Sequence, residues 1–234
     1  MSRMLASVTN VEEALIALEG GADIIDLKDP SQGALGALSQ AVIREIVKAV
    51  DHRKPVSATI GDLPMQPELM VEAVRDTAAT GVDIVKIGFF GRERQGECMR
   101  ALQPLAAQGI RMVVVLFADG APDFGLVPQL AHAGIHGVML DTAIKNGKRL
   151  RDHLDDTELQ SFVKQAHEQS LLVGLAGSLA ISDVEGLMQF DADYLGFRGA
   201  LCHASERKAA LDSQRLSCLK NVLYSCNRLA KEFA

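Results

Sequence analysis

A single (β/α)8 barrel spanning residues 1–234 is the fold class the sequence predicts, and three observations predict it. Short β-like runs alternate with helix-like stretches eight times along the chain. Apolar residues make up 48% of the sequence while aromatics reach only 4% and Trp is absent, so the core is aliphatic, as suits parallel strands buried on both faces. The length of 234 residues is close to the roughly 250 that eight β/α units occupy.

The strands are read from short apolar runs and the helices from longer stretches between them. In chain order the strands fall at Met4–Val8, Ile24–Leu27, Val56–Ile60, Ile84–Ile87, Met112–Phe117, Gly137–Leu140, Leu171–Ala176 and Tyr194–Phe197. The helices lie between them at 11–19 (VEEALIALE), 39–50, 67–80, 98–108, 127–133, 156–169 and 182–190, with a long closing segment from about Ser205. Strict alternation implies a parallel sheet. No G-x-G-x-x-G fingerprint opens a helix after the first strand, and a flavodoxin-like sheet needs fewer strands, so a closed barrel fits better than an open sheet.

A formal charge of −6 argues against nucleic acid or an anionic membrane as partner, while local positive charge remains able to bind an anionic metabolite. Cys98, Cys202, Cys218 and Cys226 form no C-x-x-C pair and match neither a zinc site nor a disulfide framework. The N-terminus lacks the apolar core of a secretion signal and no run approaches 18 uninterrupted apolar residues. A soluble, cytoplasmic protein with reduced thiols, open to assembly as a homo-oligomer, is the resulting expectation.

Four segments repeat one pattern after a helix: GADIIDLK (21–28), GVDIVKIG (81–88), GIHGVMLD (134–141) and DADYLGFR (191–198). They align without gaps on the second, fourth, sixth and eighth strands. Side chains from alternate strands form layers inside a barrel, so Lys28, Gly88, Asp141 and Arg198 are expected in one layer at the C-terminal mouth, with Asp26, Lys86, Met139 and Gly196 beneath. The glycines are expected to leave open space. Asp26 and Lys28, at i and i+2, share a face, and their joint inward orientation makes that mouth the candidate active site.

A lysine in a low-dielectric pocket near another cation has a lowered pKa and can attack a carbonyl to form a Schiff base. Lys28 and Lys86 thus supply one nucleophile and one proton shuttle, and Asp26 and Asp141 could move protons or steady an ammonium. The plainer alternative makes each lysine the partner of a structural salt bridge, but buried ionic clusters are poor stability devices. Gly177 and Ser178 after the seventh strand and Arg198 and Gly199 after the eighth fall where barrels commonly bind phosphate, at backbone N–H groups and a helix N-terminus. Their alternatives are an ordinary turn with an N-cap and an Arg198–Asp141 pair. Gly61 and Asp62 end the third strand in a candidate active-site loop, and the polar loop 141–154, with Lys145 and Lys148, is placed to close over the mouth. His132 and His136 lack a ligand spacing, and no metal is expected.

The segments ADIIDLKDPSQGALGA (22–37), VSATIGDLP (56–64), DIVKIGFFG (83–91), MLDTAIKNGKRLRDHL (139–154), LAGSL (175–179) and FRGALC (197–202) together resemble the (5-formylfuran-3-yl)methyl phosphate synthase family of methanofuran biosynthesis, the 4-HFC-P synthases. The resemblance implies a (β/α)8 lyase that converts two molecules of glyceraldehyde 3-phosphate into a phosphorylated furan aldehyde with loss of phosphate and water, without metal or organic cofactor. It implies the Schiff-base lysine at Lys28 of the D-x-K-x-P motif, the proton-transferring lysine at Lys86, the motif aspartate at Asp26, and Asp141 and Lys145 at the mouth. Lys145 is the candidate for a second phosphate. A class I aldolase or transaldolase-like enzyme, and a non-catalytic phosphometabolite-binding barrel, are the alternatives.

Overall fold

A computed structural model describes residues 1–232. Eight parallel strands close into a barrel in sequence order, β1 pairing with both β2 and β8. They are β1 Arg3–Val8, β2 Ile24–Leu27, β3 Val56–Thr59, β4 Ile84–Phe89, β5 Met112–Phe117, β6 Gly137–Asp141, β7 Leu172–Leu175 and β8 Tyr194–Phe197. The surrounding helices are α1 Val11–Glu19, α2 Gln40–Val50, α3 Pro67–Ala78, α4 Gln95–Ala107, α5 Leu126–His132, α6 Asp156–Glu168, α7 Val184–Met188 and α8 Ser213–Glu232.

The period of two sorts each strand between two cores. On β5, Met112, Val114 and Leu116 face outward to the helices, where they join Leu102, Leu130 and Phe162, whereas Val113, Val115 and Phe117 fill the barrel with Leu5, Ile24, Ile84, Met139 and Tyr194. Tyr194 seals the lower interior: a Cβ on Gly174 would lie 2.4 Å from its ring. Polar side chains therefore accumulate only toward the C-terminal ends of the strands. That distribution places the site.

Two expectations change. Gly88 does not leave open space, since a Cβ there would lie 2.4 Å from Phe90 and 2.9 Å from Leu35, and it is small so that these side chains can pack over the strand. Gly196 does line the cavity at the mouth, with Met139 as its close neighbour. The closing helix also starts at Ser213 rather than near Ser205. Residues 199–212 form short 3-10 turns and a bridge between Cys202 and Leu211, and the Asp212 carboxylate accepts the N–H groups of Gln214 (2.9 Å) and Arg215 (3.2 Å) to begin α8.

Candidate active site

Asp26 points inward from β2 between two equally inward serines, with β1 Ser7 and β3 Ser57 in register on either side. Its carboxylate accepts from Ser7 Oγ at 2.8 Å and Ser57 Oγ at 2.7 Å. Lys86, from β4, donates to both of its oxygens at 3.1 Å. Burial would push the Asp26 carboxyl up, but Lys86, Lys28 and the two hydroxyls outweigh it and hold the group below the usual carboxylate range. An ammonium and two hydroxyls thus satisfy a carboxylate that is fully buried.

Lys28 stands just past the end of β2, one level above. Its Nζ lies 3.7 Å from Asp141 Oδ2, at the end of β6. Burial is the largest influence on this amine and lowers its pKa, Asp141 and Asp26 pull it up, Lys145 and Lys86 push it down, and the balance falls at about 8. Asp141 accepts from Lys145 Nζ at 2.8 Å and from the N–H of Thr142 at 2.7 Å. Burial raises its pKa, but Lys145 and Lys28 win and hold the carboxyl well below its ordinary value. Lys145 also donates to Thr142 Oγ1 at 3.0 Å.

These groups line a cavity of about 550 Å³ that opens at the C-terminal mouth. Lys28, Lys86, Asp141, Lys145, Gly177, Ser178 and Gly199 all reach it, while Asp26 lies beneath its floor against Lys86. Gly177 and Ser178 carry consecutive positive φ angles, +115° and +51°, and a Cβ on Gly177 would approach Thr142 Cγ2 to 3.1 Å. Glycine is therefore required at the turn. In the helical turn behind it the Ala180 N–H goes to Asp183 Oδ2 at 2.7 Å and Arg149 pairs with the same carboxylate, while Leu179, Ile181 and Ser182 also line the cavity.

Arg198 stands differently from the expected layer. Its backbone leaves the extended region (φ −131°, ψ −70°), and the side chain turns away from Asp141 to Glu13 on α1, with Nη1 to Oε2 at 2.6 Å and Nη2 to Oε1 at 3.1 Å. Its remaining donors go to the carbonyls of Ser7 (3.1 Å), Arg207 (2.8 Å) and Ala209 (2.9 Å). An arginine has five N–H groups, so this guanidinium has none left for a phosphate. Asp62 likewise faces the β2–α2 loop, accepting from the N–H groups of Ala34 (2.9 Å) and Leu35 (2.7 Å). Ser7, Ser57 and Glu13 escape sequence reading, although the alternation Leu5, Ser7 along β1 marks one of them as inward.

A pattern of paired lysines and aspartates at this mouth coincides with a family match: the family model described as 4-HFC-P synthase matches residues 4–220. The chain belongs to the 4-HFC-P synthase family. Among its relatives, the (5-formylfuran-3-yl)methyl phosphate synthase of Methanopyrus kandleri is 42% identical over 234 residues, covering 94% of this chain and 98% of the relative. The protein of that name from Methanococcus maripaludis is 37% identical, covering 95% and 98%. At 13% identity, phosphoribosyl anthranilate isomerase from Thermotoga maritima superposes with a TM-score of 0.70 over 96% of this chain and all of that one, a likeness of fold alone. Among the described residues of this 4-HFC-P synthase family member, no helix is long and apolar enough to cross a membrane.

Proposed function

We propose that this chain is a Schiff-base lyase that joins two molecules of glyceraldehyde 3-phosphate into 4-(hydroxymethyl)-2-furancarboxaldehyde phosphate, releasing one phosphate and two waters, as a step toward methanofuran. The observation that carries the reading is Lys28: a buried amine whose pKa falls to about 8, 3.7 Å from a carboxylate, in a cavity of about 550 Å³. Roughly a tenth of such an amine is unprotonated at pH 7, hundreds of times more than for a free lysine, and that fraction is a competent nucleophile toward an aldehyde or ketone.

One triose phosphate, as the aldehyde or its dihydroxyacetone phosphate isomer, condenses with Lys28 Nζ and expels water. The iminium draws electrons from the adjacent carbon and acidifies its C–H. The Lys86–Asp26 pair relays that proton, the carboxylate stabilising the ammonium whenever Lys86 carries it. The enamine then attacks the aldehyde carbon of the second triose. Ring closure, elimination of phosphate and two dehydrations follow, and a water that hydrolyses the imine releases the product and regenerates Lys28, which leaves two waters net. Asp141, held by Lys145, is placed to serve the carbinolamine steps at Lys28. The Gly177–Ser178 turn is the candidate for one phosphate, with Gly199 beside it, and Lys145 remains a candidate for the other. The iminium is the electron sink, so the scheme calls on no cofactor.

The test is incubation of the purified protein with glyceraldehyde 3-phosphate. A furan synthase yields a strongly ultraviolet-absorbing aldehyde together with inorganic phosphate in equal amount. Carbon–carbon bond formation without phosphate release would instead identify an aldolase, and absence of a borohydride-trapped adduct would leave a binding protein.

A further inference from the structure

The wall of the cavity on the β8 side is formed by residues 199–212, which carry Arg207. The buried Glu13–Arg198 pair holds this segment from below. Arg198 donates to the carbonyls of Arg207 (2.8 Å) and Ala209 (2.9 Å), and Glu13 Oε1 accepts the N–H of Leu211 at 3.2 Å. Glu13 is itself fixed by the N–H and hydroxyl of Thr9, at 2.8 and 2.9 Å. The backbone at Arg207 is therefore anchored, and its half-buried side chain lines the cavity.

The cations around this cavity differ in how they are neutralised. Lys86 is paired with Asp26, Lys145 with Asp141, Arg149 with Asp183 and Arg198 with Glu13. Among the described residues two cavity-lining arginines, Arg207 and Arg215, have no carboxylate within 4.0 Å, and Arg215 donates to the Ala200 carbonyl (2.9 Å) and the Ser205 hydroxyl (2.5 Å). Arg207 Nη2 donates to the Gly33 carbonyl at 2.8 Å, in the β2–α2 loop on the far side of β1, and among the described residues no acceptor takes its Nε or Nη1. Four of its five N–H groups are thus left at the rim of the cavity, among them one parallel pair made by the second Nη2 N–H with Nε or Nη1, and the nearest aspartates, Asp141, Asp62 and Asp29, act on the charge only from beyond ion-pair distance.

We propose that Arg207 is a substrate-binding residue whose guanidinium receives the phosphoester dianion of one of the two trioses, and that Glu13 and Arg198 are the positioning residues that aim it. The assignment rests on the two-triose reading above and transfers to Arg207 the role expected for Arg198. The fork suits a phosphate, which accepts two parallel N–H bonds, and the contact with Gly33 keeps the side chain extended over the opening.

The experiment compares the parent protein with Arg207→Ala and Arg207→Lys in steady-state turnover of glyceraldehyde 3-phosphate and in calorimetric titration with inorganic phosphate. Arg207→Ala should raise KM by about ten- to a hundred-fold, weaken phosphate binding in parallel, and leave the mass adduct on Lys28 obtainable at saturating substrate. Arg207→Lys should recover part of the loss. Glu13→Gln, assayed well below its own melting temperature, should raise KM while kcat changes little. Parental KM and phosphate affinity in Arg207→Ala would overturn the binding role, and a parental KM in folded Glu13→Gln would overturn the positioning role. If the parent makes no furan yet Arg207→Ala still loses phosphate affinity, the reaction is misread while the Arg207 site stands.

Discussion

Lys86 and Asp26 meet head-on at the floor of the cavity, the lysine Nζ equidistant at 3.1 Å from both carboxylate oxygens, with neither side chain more than 2% exposed. A pair this deep is a weak source of stability when intact and a large liability when halved. Asp26→Asn should lower unfolding stability by roughly 3–5 kcal/mol, measured by urea titration, and abolish furan formation. The double variant Asp26→Asn, Lys86→Met should regain much of the stability and none of the activity. Full activity in Asp26→Asn would remove the pair from the proton relay.

The amine of Lys28 should report its own titration. Borohydride trapping at subsaturating triose phosphate should rise with pH through about 8, where the free amine appears, and Lys28→Arg should give no adduct. Asp141→Asn removes a group that raises the lysine pKa and should move the profile to lower pH. Lys145→Ala removes a repelling cation and should move it to higher pH. Equal profiles in all three proteins would separate Lys28 from its neighbours.

The same shift has a consequence for stability. The folded protein releases the Lys28 proton near pH 8 and the unfolded chain near 10.5, so between these values the unfolded state binds more protons and stability rises with pH. Below about pH 8 the full cost of burying the charge is present. Lys28→Met should therefore be more stable than the parent at pH 7, with the gap closing toward pH 10, as thermal melts at the two pH values would reveal.

Arg198 and Glu13 should behave as one unit. Either single change, Arg198→Met or Glu13→Leu, leaves a buried charge unpaired and should cost about 3–5 kcal/mol, a fall of roughly 6–20 °C in Tm. The double variant should recover a substantial part of it. Additive losses would show that the two side chains act separately.

At the phosphate turn, Gly177→Ala forces a side chain into a backbone conformation at φ +115° and against Thr142 at 3.1 Å. The strain is roughly 1–3 kcal/mol. Inorganic phosphate affinity should fall with it, whereas Gly109→Ala, at φ +88° in open space far from the cavity, should pay only the backbone penalty and bind phosphate as the parent does.

Strands with a plain apolar pattern could be read closely: Ile24–Leu27, Met112–Phe117 and Tyr194–Phe197 carry the same limits in sequence and structure. Lys28 and Asp141 could be brought together from sequence because period-two alternation and the gapless repeat put both at strand ends, and they lie 3.7 Å apart. Arg198 obeys the same repeat and yet departs, since its backbone turns out of the strand and its partner is 185 residues away on α1. No local pattern encodes such a pairing. Ser7 and Ser57 are hard to read for another reason: a serine in an apolar strand looks ordinary until its neighbour across the ladder is known to be Asp26. The rim at 199–212 was hidden because its run of good helix formers, Glu206 to Leu211, suits a helix, whereas tertiary bonds from Glu13 and Arg198 fix it as turns.

The five ionisable groups that meet around Lys28 are three lysines, Lys28, Lys86 and Lys145, and two aspartates, Asp26 and Asp141, on a chain whose formal charge is −6. The mouth is thus a cationic depression in an acidic shell, and its low-dielectric walls focus the field outward. A dianionic triose is repelled by most of the surface and drawn to one opening. Capture should accordingly slow as ionic strength rises and the Debye length shrinks from about 30 Å at 0.01 M to 8 Å at 0.15 M, while the chemistry inside, shielded from salt, keeps its rate.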